Sequence, residues 1–173
     1  TEFNPENTGW GGQLYYFENI TNNISPQFVL VDSTFIDDFT TTNLAPSFYD
    51  TDNDGDLDAI IGEFNGYLLH YNNTDNGWEY NGHYLGLDLV GKTIPVWGDV
   101  DQDNDDDLVI GTKDGMVSVY INNGDINNLV FNSQIDIGDD AAPTILSNGS
   151  IIAGNKIGDL KLLYYESGNL VEG

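Results

Sequence analysis

The chain contains no cysteine, and only four of its 173 residues are lysine or arginine. Without cysteine there is no disulfide framework, no thiolate metal ligand and no cysteine nucleophile. Phosphate-binding surfaces need clustered Lys and Arg, so the scarcity of basic residues excludes nucleic acid and anionic membrane surfaces as partners. No apolar run approaches the roughly 20 residues of a membrane-spanning helix, which predicts that the chain does not insert into a membrane.

Acidic residues are as abundant as basic residues are rare. The 29 Asp and Glu residues give a formal net charge of −25, while 39% of the residues are hydrophobic and 12% aromatic. This composition predicts one globular domain over residues 1–173 with a hydrophobic core. The charge suits a protein that stays soluble in salt or one that holds divalent cations.

One segment, "YDTDNDGDLDAIIGEF" (residues 49–64), concentrates this charge. Its five aspartates stand at every second position, and alternate side chains of a strand share one face. A strand here would therefore set five like charges side by side, which is destabilising. Either a loop spreads these charges into solvent, or a cation lies among them.

An internal repeat places this segment in a larger pattern. Residues 45–73 align without gaps on residues 94–122 at an offset of 49, with Pro46 on Pro95 and Gly62 on Gly111. A third copy, residues 142–167, follows at an offset of 43, and residues 11–19 match only the later part of the unit. The predicted units are a partial one over residues 1–44, two complete ones over 45–93 and 94–141, and an incomplete one over 142–173.

The third copy lacks most of the aspartate segment. In its place stands "PTILSNGSIIAG" (residues 143–154), in which two apolar runs flank Asn148-Gly149, a strong signal for a tight hairpin turn. By comparison, the aspartates of the other copies occupy a loop that joins two antiparallel strands.

Apolar alternation and turn residues predict four short strands in each unit and no helix. The first strand covers residues 45–49, the second 58–62 and the third 67–71, with equivalents in the next unit. The fourth strand is predicted at residues 28–31, 83–89 and 129–135, and the last unit ends where its fourth strand would start. The fold class predicted is all-β, with about three to three and a half four-stranded antiparallel β-propeller blades that form a partial or oligomer-completed propeller.

The loop reads D-x-D-x-D-G-D-x-D, a spacing typical of a Ca²⁺ site, in which carboxylates at positions 1, 3, 5 and 9 converge, position 7 gives its carbonyl and Gly makes the turn at 6. In the second copy Asn104 replaces this Gly and tolerates the same left-handed backbone. A single acidic run is often only a solvated loop, but two runs at the same point of the repeat favour a calcium site. Mg²⁺ is less favoured, because it prefers few protein carboxylates and keeps its waters. The predicted metal ligands of the two Ca²⁺ sites are Asp50, Asp52, Asp54, Asp56, Asp58, Asp99, Asp101, Asp103, Asp105 and Asp107.

These motifs carry a family resemblance. The chain resembles the FG-GAP repeats of integrin alpha-subunit propellers and, more closely, the bacterial VCBS repeats. Units of the latter run strand, D-x-D-x-D-G-x-x-D loop, strand ending in apolar-Gly, then G-x-[LV]-x-x-[YF]. The segments "FYDTDNDGDLDAIIGEFNGYLLHYNN" and "GQLYYFENIT" match this order. The resemblance covers nearly the whole chain and implies calcium between the first and second strands of a blade; Asn104 and the loopless third copy depart from it.

No catalytic constellation is evident, so we expect no enzyme. His70 and His83 are far apart, and a structural or surface role is expected for each. The tyrosines are expected to pack between blades, although stacking on sugars is the alternative. These are Tyr15, Tyr16, Tyr67, Tyr71, Tyr80 and Tyr84.

The sequence therefore predicts a non-enzymatic, calcium-binding extracellular propeller module for adhesion or self-assembly, since calcium loops of modest affinity fill only outside the cytosol. The alternative is a carbohydrate-recognition or accessory domain of a secreted polysaccharide-active enzyme. Expected partners are further copies of the chain, in a ring or filament, or the remainder of a longer propeller, together with a glycan or a surface protein.

Overall fold

A computed structural model describes residues 11–21, 24–37 and 39–173. The predicted all-β class is confirmed, because the described residues form 14 strands in four antiparallel sheets, together with two short 3₁₀ turns. The chain divides into two compact units, Thr1–Leu44 and Ala45–Gly173, and this division falls at a predicted repeat boundary. Within the described ranges, no helix has the length and apolar character needed to cross a bilayer.

Among the described residues of the first unit, β1 (Tyr16–Asn19) and β2 (Phe28–Asp32) form a two-stranded antiparallel sheet, in which Phe17 lies opposite Leu30. The Asn19 side-chain oxygen accepts hydrogen bonds from the backbone N–H groups of Thr21 (3.2 Å) and Gln27 (3.1 Å), which ties the ends of the connection together. The strand predicted at residues 28–31 is therefore confirmed, and residues 1–10 of the predicted partial repeat lie outside the described residues.

The second unit contains three four-stranded sheets, and in each of them the strands pair in chain order. The first sheet consists of β3 (Ala45–Tyr49), β4 (Asp58–Gly62), β5 (Leu68–Thr74) and β6 (Gly77–His83). The second consists of β7 (Thr93–Gly98), β8 (Asp107–Thr112), β9 (Met116–Ile121) and β10 (Val130–Asp136). The third consists of β11 (Ala142–Ile145), β12 (Ile151–Gly154), β13 (Leu160–Glu166) and β14 (Asn169–Glu172).

Two predictions about the fourth strands are wrong. Residues 83–89 were expected to form one, but the strand is β6, because a turn closed by Thr74 and Gly77 reverses the chain immediately after β5. The last sheet was expected to lack its fourth strand, but Ser167 and Gly168, with φ of +52° and +82°, form a two-residue hairpin turn that brings β14 onto β13. The third sheet is complete.

A glycine at or next to the end of the second strand lies where the following sheet begins. A Cβ at Gly62 would lie 2.2 Å from the carbonyl oxygen of Thr93, and one at Gly111 would lie 2.4 Å from that of Ala141. At Gly154, the nearest atom is a side-chain carbon of Leu160, 3.5 Å away. These glycines allow the backbones of consecutive sheets to approach closely.

Two apolar clusters fill the spaces between consecutive sheets of this unit. The first joins Ile60 and Leu68 to Leu108 and Ile110, with the buried ring of Tyr84 among them. The second joins the other face of the middle sheet to the last sheet. It includes Val109, Val117, Val119, Ile151, Ala153 and Leu163, all fully buried. Strands that are apolar on both faces therefore lie at the centre of the unit.

Candidate metal sites

The two acidic loops, between β3 and β4 and between β7 and β8, each bring three aspartates together. In each loop, one carboxylate oxygen from each of three side chains lies within 4.8 Å of the other two. The sets are Asp50, Asp52 and Asp58 in the first loop, and Asp99, Asp101 and Asp107 in the second. These are positions 1, 3 and 9 of the predicted motif, so both loops present the same donors at the same point of two aligned sheets.

The aspartate at position 9 is held in place by the backbone. Asp58 is fully buried, and its two carboxylate oxygens accept hydrogen bonds from the N–H groups of Asn73 and Thr51, both at 2.9 Å. Asp107 is also fully buried and repeats both bonds at the same lengths in the second loop. This carboxylate thus connects the start of its loop to the end of the third strand.

The aspartate at position 1 stabilises the turn within each loop. Asp50 Oδ2 accepts a hydrogen bond from the N–H of Gly55 (3.1 Å), and Asp99 Oδ2 accepts one from that of Asn104 (3.2 Å). Gly55 has φ of +98° and Asn104 has φ of +79°. The prediction that Asn104 adopts the left-handed backbone of the glycine it replaces is confirmed.

Positions 5 and 7 lie outside these clusters. The side chains of Asp54 and Asp103 each accept a hydrogen bond from the N–H two residues further on, at 3.0 Å and 3.1 Å. Such bonds shape the loop locally. The ligand roles expected for Asp54 and Asp103, and for the carbonyls of Asp56 and Asp105, stay predictions.

Two carboxylate oxygens of the loops are buried without a donor. Asp50 Oδ1 and Asp105 Oδ1 have no hydrogen-bond partner among the described residues. A buried oxygen without a partner is costly, and more so when it carries charge. A hard cation prefers oxygen donors of this type, and a site built from several carboxylates matches calcium better than magnesium. The residues present therefore fit a Ca²⁺ ion.

The carboxylates also repel one another. Burial raises the pKa of Asp107 to about 6. Desolvation, followed by the charge of Asp103, raises the pKa of Asp101. Desolvation, followed by a hydrogen bond that the protonated Asp105 carboxyl donates to Asp103, raises the pKa of Asp105. In the first loop the pKa of Asp56 is raised by desolvation and by the neighbouring carboxylates. Each of these shifts opposes the ionised form, and a bound cation would favour it.

Sequence reasoning missed a polar network behind the first loop. Thr51, 1% exposed, donates its hydroxyl to Asp58 Oδ2, and His70 Nε2 lies 2.9 Å from the same hydroxyl. Asn81 Nδ2 lies 3.4 Å from His70 Nδ1. Each group then donates a hydrogen bond to the next, Asn81 to His70, His70 to Thr51 and Thr51 to Asp58, and the imidazole proton lies on Nε2. Burial lowers the pKa of His70, which favours this neutral ring.

The second loop has no such network at the equivalent positions. At the offset of 49, Thr51 aligns with Val100 and His70 with Val119, and both valines are buried. This paired difference between the repeats was the sequence signal for the network. The first loop has polar support, whereas the second has apolar support.

Several tyrosines considered for sugar stacking instead form ring pairs within the second unit. Tyr67 stacks on His83 with ring centroids 4.3 Å apart, and Tyr71 packs on Tyr80 at 5.2 Å. The buried Tyr84 donates its hydroxyl to the carbonyl of Ile126 at 2.8 Å. Tyr84 thus packs between two sheets, as expected, whereas Tyr67 and Tyr71 pair with rings of their own repeat.

A comparison of the chain with models of protein families and with curated proteins found no match in either.

Proposed function

We propose that the chain is a non-enzymatic, calcium-stabilised module built from β-propeller blades of the FG-GAP or VCBS type, three of them the four-stranded sheets. The observation that carries the proposal is the pair of aspartate clusters at the same register, together with one buried carboxylate oxygen in each loop that lacks a donor. A solvated acidic loop would expose these oxygens to water. The bound ions would offset the repulsion in the loops and hold the first and second strands together.

Two ions per chain are expected, because the connection between β11 and β12 has no carboxylate cluster among its described residues. Leu146 and Ser150 close it instead through a backbone hydrogen bond of 2.8 Å, and Gly149 has φ of +78°. Calorimetric titration of chelated, dialysed protein with CaCl₂ should give a stoichiometry near two.

Loss of calcium should destabilise the fold. Each site adds roughly 2.7 kcal/mol to the free energy of unfolding at a hundredfold excess over its dissociation constant. Thermal melts in EDTA and in millimolar CaCl₂ measure this, and coincident curves would contradict the metal assignment. Asp52→Ala should remove one ion from the titration, whereas Asp88→Ala, an exposed aspartate outside both loops, should leave two.

We further propose that the module works outside the cell, where millimolar calcium fills sites of modest affinity. Adhesion or self-assembly is the role that fits its exposed apolar surface. The sheet of β1 and β2 exposes Phe17 (52%), Phe28 (66%) and Val31 (55%), and two-stranded sheets are marginal alone.

By its sequence this sheet corresponds to the third and fourth strands of a blade. It would be completed by two strands from another copy or from another segment of a propeller chain. Light scattering in calcium buffer tests this: a multiple of 19.0 kDa that dissociates in EDTA supports assembly, and a stable monodisperse monomer counts against it.

A further inference from the structure

A cleft of about 540 Å³ opens between the second acidic loop and the turn that joins β11 to β12. The turn has five residues, 146–150, whereas the connection at the equivalent place in the middle sheet has eight, 99–106. The shorter turn leaves space beside the longer loop. The cleft has the size of a small-molecule site and belongs entirely to the second unit.

Two contacts fix the walls of this cleft. A Cβ at Gly149 would lie 3.0 Å from the carbonyl oxygen of Asp99, so the turn is packed directly on the backbone of the loop. Further out, Gln102 Nε2 donates a hydrogen bond to the carbonyl of Asn148 at 3.1 Å. The cleft is therefore formed before any ligand enters it, which lowers the ordering cost of binding.

The lining combines apolar surface with unused amide groups. Trp97 and Leu146 supply the apolar part, and the Trp97 ring is held by stacking on Tyr49 with centroids 4.6 Å apart. Gln102 Oε1 and the side-chain amide of Asn104 make no hydrogen bond within the described part of the chain. Amides donate and accept, as hydroxyl groups do.

Charge narrows the class of ligand. Asp99 and Asp106 border the cleft and would repel an anion. An ammonium group offers only donors, so the side-chain amide donor of Asn104 would gain no partner from it. We propose that this cleft binds a neutral polyhydroxylated ligand of the pyranose class, with its C–H face on Trp97 and its hydroxyls on the amides of Gln102 and Asn104. The cleft shares Asp99 with the second proposed ion site, but the proposed sugar contacts, Trp97, Gln102 and Asn104, are not proposed ion ligands, so binding is expected with and without calcium.

Nuclear magnetic resonance tests the proposal on the intact chain in calcium buffer and again in EDTA. Glucose, galactose, mannose and N-acetylglucosamine would each be titrated into ¹⁵N-labelled protein, with lysine methyl ester as the cationic probe. The expected result with at least one sugar is a saturable shift of the Trp97 indole N–H and of the Gln102 and Asn104 side-chain amides, in either buffer. Trp97→Phe assigns the indole signal.

Two variants distinguish the cleft from adventitious contact. Gln102→Ala and Asn104→Gly should each weaken sugar binding about tenfold, the effect of losing one or two hydrogen bonds to a neutral ligand. Asn104→Gly keeps the loop intact, because Gly55 stands there in the first loop. Gln27→Ala, an exposed glutamine of the first unit, should change nothing.

The proposal is overturned if no sugar shifts these signals, if the variants bind sugar as well as the parent chain, or if only the cationic probe saturates. If sugar binding is saturable while the thermal melting curves in EDTA and in calcium coincide, the metal assignment is refuted and the sugar site in the cleft is still supported.

Discussion

Removing the hydroxyl of Thr51 tests whether the network behind the first loop contributes to stability. Thr51→Val is nearly isosteric, and the N–H of residue 51 stays available to Asp58. The change removes the hydroxyl bond to a buried carboxylate and leaves the Nε2 proton of His70, 8% exposed, without an acceptor. A buried donor left unpaired costs about 1–3 kcal/mol, so we expect the free energy of unfolding to fall by about 2–3 kcal/mol.

The second loop supplies the design of the double variant. Val100 and Val119 occupy the equivalent positions, and Asp107 is held there by backbone donors alone. Thr51→Val/His70→Val reproduces this apolar pair and leaves no orphaned imidazole. Its loss of stability should therefore be smaller than the sum of the two single losses, with a coupling of about 1–2 kcal/mol.

Urea unfolding of the four chains in calcium chloride measures these values, with unchanged m-values required for the comparison. Thr34→Val is the matched control, because the exposed Thr34 also donates to an aspartate, Asp32, at 3.1 Å. That variant should change stability by no more than about 0.5 kcal/mol. Additive losses in the double variant would refute the proposed network.

Further predictions concern the glycines, the turn and pH. Gly111→Ala should destabilise the chain strongly in thermal melts, since its Cβ would lie 2.4 Å from the Ala141 carbonyl, whereas Gly154→Ala should be tolerated. Asn104→Gly should raise the free energy of unfolding by up to about 1 kcal/mol, because Gly adopts φ of +79° without strain. The pKa of Asp107 is raised from 3.8 to about 6, so between these two pH values the carboxyl is protonated in the folded chain and ionised in the unfolded chain. In EDTA, the contribution of Asp107 to stability is therefore present below pH 3.8 and is lost as the pH rises through 6. In calcium, the affinity of the second site should fall as the pH drops below about 6, because protons compete with the ion for Asp107. Calorimetry at several pH values measures this affinity.

Much of the fold could be predicted because local patterns specify it. The repeat offset, the turn glycines and the alternation of apolar residues predicted antiparallel strands joined by acidic loops, and Asn148-Gly149 predicted the hairpin that replaces one loop. These are short-range signals, since turn geometry and strand period depend on neighbouring residues. The fourth strands were harder, because an exposed outer strand such as β6 lacks a clear apolar pattern.

The aspartate spacing predicted five ligands in each loop, and the structure brings together the carboxylates of three of them, at positions 1, 3 and 9. Tertiary structure decided the rest. It decided that Asp58 and Asp107 are buried and bonded to the backbone of the third strand, and that His70 reaches Thr51 across 19 positions of sequence. It also decided that a shortened turn opens a cleft beside Trp97. Each of these depends on which strands pair and how neighbouring sheets pack, and spacing along one segment of the chain does not determine contacts between segments far apart in sequence.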